Sequence, residues 1–122
     1  MGVEVGELES ILPDELKNGA RAPGDELVLP YAGALAAIVI ATNHQIAVLG
    51  LEAFEVRKDG LLTVAMADAS SHAVFTGDWK AYVATMNAEA DHWLRENRLG
   101  NNHGYILTSA SEREFADLKK YR

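Results

Sequence analysis

The chain has 122 residues, a net charge of −7 and no cysteine, and 48% of its residues are hydrophobic. This hydrophobic fraction excludes global disorder, and the missing cysteines exclude disulfides, thiolate chemistry and iron–sulfur clusters. A pI near 5.0 argues against binding to nucleic acid or an anionic membrane, since both need a basic surface. The length predicts a single domain spanning residues 1–122.

The acidity is concentrated in an N-terminal segment, residues 1–26, which holds seven acids and two bases. Leu8, Ile11, Leu12 and Leu16 recur at helical spacing, and Pro13 suits a helix start, so one broken helix or two short helices are expected. Such a segment is either a solvated surface or a patch that attracts a basic partner. The acids that would form the contact are Glu7, Glu9, Asp14, Glu15, Asp25 and Glu26.

Residues 27–51 contain no charged side chain, which raises the question of a membrane span. Pro30 interrupts the start, and Asn43, His44 and Gln45 would be costly in lipid. The continuous apolar part, residues 32–41, is about half the ~20 residues that a span needs. We therefore predict a helix from Pro30 to about His44, apolar nearly all round and central in the fold, then a turn and a strand.

Two runs rich in Val, Leu and Ile, 46–57 and 61–68, flank Lys58-Asp59-Gly60 and predict a β-hairpin. Residues 72–76 suggest a third short strand. Asp78 then caps a long helix ending near Asn97. Its apolar residues share one arc, and the arc is either core or a ligand-stacking platform; it comprises Trp79, Tyr82, Val83, Met86, Ala90, Trp93 and Leu94.

After a turn over 100–104, residues 105–108 predict a strand. Ser109 or Ser111 opens a last helix, with Glu112 or Glu114 completing an S-x-x-E capping box. Because strands follow one another before the long helix, the expected class is α+β. We expect a small, mostly antiparallel sheet of three to four strands packed against several helices.

Glu52 is the most informative single residue for chemistry. Strict alternation places it on one strand face with Val48 and Phe54, and a core-facing carboxylate is typical of functional sites. Alternatively, a bulge at Gly50 would turn Glu52 outward, or the carboxylate would bond to neighbouring groups. His103, in a glycine-flanked loop, is either solvated or a second member of a ligand site.

Other chemical patterns are weak. Residues 68–72 (Asp-Ala-Ser-Ser-His) contain the residue types of a hydrolase triad, but triad members usually come from separate elements, so a polar loop is favoured. His44, His72, His92 and His103 lack metal-binding spacing, and nucleotide-binding motifs are missing. The sequence therefore predicts no catalytic residue, metal or cofactor.

Three segments resemble those of small bacterial immunity proteins that neutralise polymorphic toxins. They are the run from Ile46 to Phe54 after a buried helix, Trp79-x-x-Tyr82-Val83 at a helix start, and Gly104 to Thr108 near the end. The resemblance implies a cytoplasmic, non-enzymatic protein that binds one toxin and blocks it. It assigns no functional residue.

Three functions follow from these observations. The first is a non-enzymatic bacterial binding protein, such as an immunity protein, that uses its acids to occlude a basic partner surface. The second is a small-molecule-binding or enzymatic domain that uses Glu52 and His103. The third is a homo-oligomeric module that pairs with a second copy through its uncharged helix or a strand edge.

Overall fold

A computed structural model describes residues 7–17, 27–57, 60–66, 75–98 and 103–119, with side chains for all of these except 56–57, 60–66 and 118–119. Within these ranges the α+β class is confirmed. The elements, in chain order, are α1 (Glu7–Ile11), α2 (Asp14–Lys17), α3 (Tyr31–Asn43), β1 (Ile46–Arg57), β2 (Gly60–Met66), α4 (Trp79–Glu96), β3 (His103–Ser111) and α5 (Glu112–Lys119).

The described strands form one antiparallel sheet in the order β2-β1-β3, with β1 in the centre. The predicted hairpin is therefore present, and the strand after the long helix joins the other side of β1. That strand begins at His103 and is longer than predicted. Of the third strand expected over 72–76, residues 72–74 lie outside the described residues, while Phe75 and Thr76 are not in a strand.

A bulge in β1 decides which side chains face the core. The pairing of β1 with β3 shifts between Val48 and Gly50, so Leu49 is an extra residue on β1. Before the bulge Ile46 and Val48 face the main core, and after it Leu51 and Ala53 do. This shift of one residue reverses the alternation for the rest of the strand.

Helix α4 covers the edge of β1 that β2 does not reach. The pairing between β1 and β2 runs from Ala53 to Arg57. Beside residues 46–48 of β1, which precede this pairing, lies the buried side chain of Asn87. Its Oδ1 accepts from the Val48 N–H at 2.7 Å, and its Nδ2 donates to the Ile46 carbonyl at 2.9 Å. The amide thus satisfies both main-chain groups as a neighbouring strand would.

The core has two main parts that share β1 and α4. The larger one lies between α3, the sheet and the C-terminal half of α4, and includes Leu51, Leu94 and Tyr105. The smaller one packs Ala47 against the N-terminal half of α4, beginning at Trp79. The aromatic arc of α4 is therefore core packing and not an open stacking platform.

The expectation that α3 is central in the fold is wrong for one of its faces. Ala34, Ala37, Ile38 and Ala41 are buried. The opposite face is exposed, and Val39 retains 57% of its accessible surface. The helix is short, and among the described residues no helix has both the length and the apolarity to cross a membrane.

Candidate functional site

The two residues of the predicted ligand site do not meet. Glu52 is opposite Ile106 across the β1–β3 ladder, whereas His103 is opposite Glu55. Residues directly opposite each other share a face, and positions three apart on a strand lie on different faces, about 10 Å apart along it. Glu52 and His103 therefore project from opposite sides of the sheet.

Glu52 also lacks the environment that made it a candidate. Its side chain is exposed, so the expectation that it faces the core is wrong. The bulge before Gly50 is the physical reason, because it moves Leu51 and Ala53 into the core in place of Glu52. The alternative in which a bulge turns Glu52 outward is confirmed.

His103 is not in a loop but is the first residue of β3, with a half-buried side chain. Its Nδ1 is buried and has no hydrogen-bond partner. The residue opposite is Glu55, a half-buried acid on the neighbouring strand.

The remaining chemical patterns are the other histidines and the Asp68–His72 run. His92 is on the polar face of α4, where its Nε2 lies 3.1 Å from Glu96 Oε1 and 72% of its side chain is exposed. The Asp68–His72 run lies outside the described residues. Among the described residues, no group of three or more His, Cys, Asp or Glu side chains could hold a metal ion.

The predicted partner-binding acids divide into three groups. Asp14 and Glu15 are exposed on α2, and Glu9 is half-buried on α1. Glu7 is engaged within the protein, since its carboxylate accepts from the Ser111 hydroxyl and lies 3.4 Å from Arg113 Nη2. Asp25 and Glu26 lie outside the described residues.

The capping box at the start of α5 connects this helix to α1. Ser111 N–H donates to Glu114 Oε1 at 2.9 Å, and Glu114 N–H donates to the Ser111 hydroxyl at 3.1 Å. The second carboxylate oxygen of Glu114 accepts from the Glu7 N–H at 3.4 Å. Of the two pairs that the sequence allowed, Ser111 and Glu114 are therefore the capping box, and both residues also contact Glu7.

The Glu7–Ser111–Glu114 contacts join α1 to the start of α5, although the two helices are far apart in the sequence. We define the acidic surface as Glu7, Glu9, Asp14, Glu15 and Glu112. Glu112 is exposed in the first turn of α5, and the sequence analysis did not include it because residues 77–122 are neutral as a whole. The S-x-x-E signal at 111–114 locates the helix start but does not reveal that α1 packs against it.

An apolar groove of about 260 Å³ adjoins the acidic surface. It lies between α1, the segment before α3 and the outer edge of β3, to which Leu29 is joined by two main-chain hydrogen bonds with Tyr105. Its walls are mostly leucine, together with Glu9 and two hydroxyl residues. The lining residues are Leu8, Glu9, Leu12, Leu27, Leu29, Ile106, Leu107, Thr108 and Ser109.

No known family model matches the chain, and neither a curated protein nor a solved structure shows significant similarity to it.

Proposed function

We propose that this protein is a non-enzymatic binding protein that occludes a basic surface of a partner protein with its acidic surface. The observation that carries the proposal is the joining of α1 to the start of α5 through Glu7, Ser111 and Glu114. This contact places acids from the two ends of the chain beside each other. Concentrated charge of one sign attracts an oppositely charged partner and speeds association.

The groove beside the acidic surface supports the same function. Interfaces combine a desolvated apolar centre with a polar, charged rim. Leucines and Glu9 line the groove together, so an apolar side chain of a basic partner would find both elements here. Lys17 and Arg113 are the basic residues that the described parts of α1, α2 and the first turn of α5 contain.

The resemblance to immunity proteins suggests which partner to test. In this form of the proposal the protein is bacterial and cytoplasmic, and the partner is a toxin whose gene lies beside its own. No observation among the described residues favours the alternative of a ligand site at Glu52 and His103, because their side chains lie on opposite faces of the sheet.

The test is growth rescue when the protein is co-expressed with the product of the adjacent gene. Asp14→Lys, Glu15→Lys and Glu112→Lys together reverse three exposed charges without touching the Glu7–Ser111–Glu114 contacts. We expect this variant to lose rescue, and the wild-type association rate to fall steeply with added salt because salt screens exposed charges.

The matched control reverses three exposed acids elsewhere, Glu52→Lys, Glu89→Lys and Glu96→Lys. The two variants carry the same net charge, so only the location of the change differs between them. Equal rescue by both variants, or an adjacent gene product that does not arrest growth, would contradict the proposal.

A further inference from the structure

The leucine-lined groove beside α1 follows the edge of β3 and not one face of the sheet. Residues 106–109 all line it, although consecutive side chains of a strand point to opposite faces. Four consecutive residues share this groove because it lies along the edge of the strand, where the main chain forms part of the wall. We define the β3 edge as residues 106–109, a stretch of about 10 Å.

Two contacts show which main-chain groups of β3 point away from β1. The N–H and the carbonyl of Tyr105 both bond to Leu29, and the N–H of Ser111 donates to Glu114 Oε1. In an antiparallel strand, the main-chain groups of every second residue point to the same side. The bulge adds its extra residue to β1, so this alternation continues along β3 without interruption.

Leu107 and Ser109 therefore direct their N–H and carbonyl groups to the outer side of β3. Among the described residues, no main-chain hydrogen bond reaches either of them from that side. Both residues are half-buried and Thr108 between them is exposed, so the edge is accessible. A strand edge with two N–H and two carbonyl groups available is a template for another strand.

The walls of the groove indicate the side chains that an added strand would carry. Leu8 and Leu12 of α1 are each 5% exposed and, with Leu27 and Leu29, offer an apolar surface to the groove. Among the described residues that line it, Glu9 is the charged one. Because the whole chain has a net charge of −7, a basic segment is complementary to it, whereas an acidic segment is repelled.

We propose that the β3 edge pairs with an extended segment of the partner protein in which apolar residues alternate with lysine or arginine. For the charge of this segment the inference rests on the proposed function, to which it adds the conformation and the residue pattern. In such strand addition, main-chain hydrogen bonds give affinity and pockets for alternate side chains give specificity.

The first test uses two peptides with blocked ends, Lys-Leu-Lys-Leu-Lys and Glu-Leu-Glu-Leu-Glu. Each is titrated into the isotope-labelled protein up to about 5 mM, which detects a complex of millimolar Kd by NMR. We expect the lysine peptide to shift the amide signals of Leu107 and Ser109 and to slow their hydrogen exchange. The glutamate peptide should bind at least about tenfold more weakly, because like charges repel.

The second test removes one main-chain donor of the β3 edge. Ser109→Pro deletes the N–H that points to the groove, and proline is tolerated on an edge strand when its N–H side faces outward. Ser109→Ala, the matched control, loses the hydroxyl but keeps the N–H. We expect the Kd of the lysine peptide to be at least about tenfold higher for Ser109→Pro than for Ser109→Ala. Circular dichroism verifies that both variants are folded.

The proposal is overturned if the lysine peptide does not bind, or if both peptides bind equally well. Equal binding by the two Ser109 variants, or unchanged hydrogen exchange of Leu107 and Ser109 in the wild type, would also reject strand addition; the exchange measurement needs no variant. Self-association of the wild type that Ser109→Pro abolishes would assign the edge to a second copy of the chain instead.

The peptide titrations do not involve the product of the adjacent gene, so the two proposals fail separately. Loss of rescue on charge reversal, without peptide binding, would support the proposed function and reject strand addition at the β3 edge. Peptide binding at Leu107 and Ser109 by a wild type that rescues no growth would do the reverse.

Discussion

At the scale of single residues, Asn87 has the largest structural role for its size. It is 2% exposed and makes three hydrogen bonds, to Val48 N–H, to the Ile46 carbonyl and to the Thr42 hydroxyl. Helix α4 thereby holds both the edge of β1 and the end of α3. A polar residue on the buried face of an amphipathic helix is here explained by the main-chain groups it satisfies.

We predict that Asn87→Ala lowers the free energy of unfolding by about 3 kcal/mol. The substitution removes the side-chain bonds and leaves a buried N–H and a buried carbonyl of β1 without partners. Urea denaturation followed by circular dichroism measures the change. Asn43→Ala, an exposed residue on the last turn of α3, is the control, and a similar loss in both variants would refute the role assigned to Asn87.

Tyr82 supplies a prediction about pH. Burial raises the pKa of its hydroxyl above the ordinary value of about 10. A group whose pKa is higher in the folded state contributes stability that is complete below the unfolded pKa and is lost as the pH rises through the folded pKa. The contribution of Tyr82 should therefore disappear in the alkaline range above pH ~10.

Comparison with Tyr82→Phe isolates this effect. The wild type should lose stability more steeply than the variant as the pH rises above ~10, and the variant should lack one late-ionising tyrosine in an absorbance titration. Parallel stability curves for the two proteins would show that the Tyr82 hydroxyl ionises equally in the folded and unfolded states.

At the scale of elements, helix caps determine where the helices begin and how they connect. Asp78 caps α4 by accepting from the Ala81 N–H at 3.1 Å. Gly77 precedes it with φ of +103°, which only glycine adopts readily. The Ser111–Glu114 box differs because Glu114 also contacts α1, so one cap stabilises two helices.

We predict that Glu114→Ala costs about 1 to 2 kcal/mol of unfolding free energy, the range for loss of a cap. It should also increase amide hydrogen exchange in α1, since the Glu7 N–H loses its acceptor on α5. Hydrogen exchange read by NMR measures both effects. Glu112→Ala removes a neighbouring exposed acid and should leave exchange in α1 unchanged; faster exchange there would mean that charge alone holds the helix.

At the scale of the whole molecule, the two parts of the core depend on the same elements. Helix α4 contributes Ala90 and Leu94 to the larger part, and Trp79, Val83 and Met86 to the smaller part. Strand β1 likewise contributes to both. Displacement of α4 would remove packing from both parts, so the prediction of a single domain implies one cooperative unit.

We therefore predict a single unfolding transition, with equal calorimetric and van't Hoff enthalpies. The fluorescence of each tryptophan reports on a different part of the core, because Trp93 packs against the larger part and Trp79 belongs to the smaller one. In Trp79→Phe and in Trp93→Phe, the fluorescence and circular dichroism midpoints should coincide. Separate midpoints in either variant would show two independently unfolding units.

The sequence by itself determined the helices, the hairpin and the acidic N-terminal segment. Local signals act over a few residues, so Asp78 and Pro30 locate helix starts without knowledge of the fold. The S-x-x-E pattern left Ser109–Glu112 and Ser111–Glu114 as the two candidates for the start of α5. The period of the hydrophobic pattern and the residue composition likewise distinguish α4 from the strands. The buried face of α4 follows from the same periodicity.

Only the tertiary structure decided which side chains face the core, the solvent or each other. A bulge adds one residue to β1 and turns Glu52 outward, and alternation alone does not reveal where the register shifts. Asn87 gained its role because an edge of β1 lacked a partner, and Val39 is exposed because α3 packs through one face. These outcomes depend on contacts between residues far apart in the sequence, which no local pattern contains.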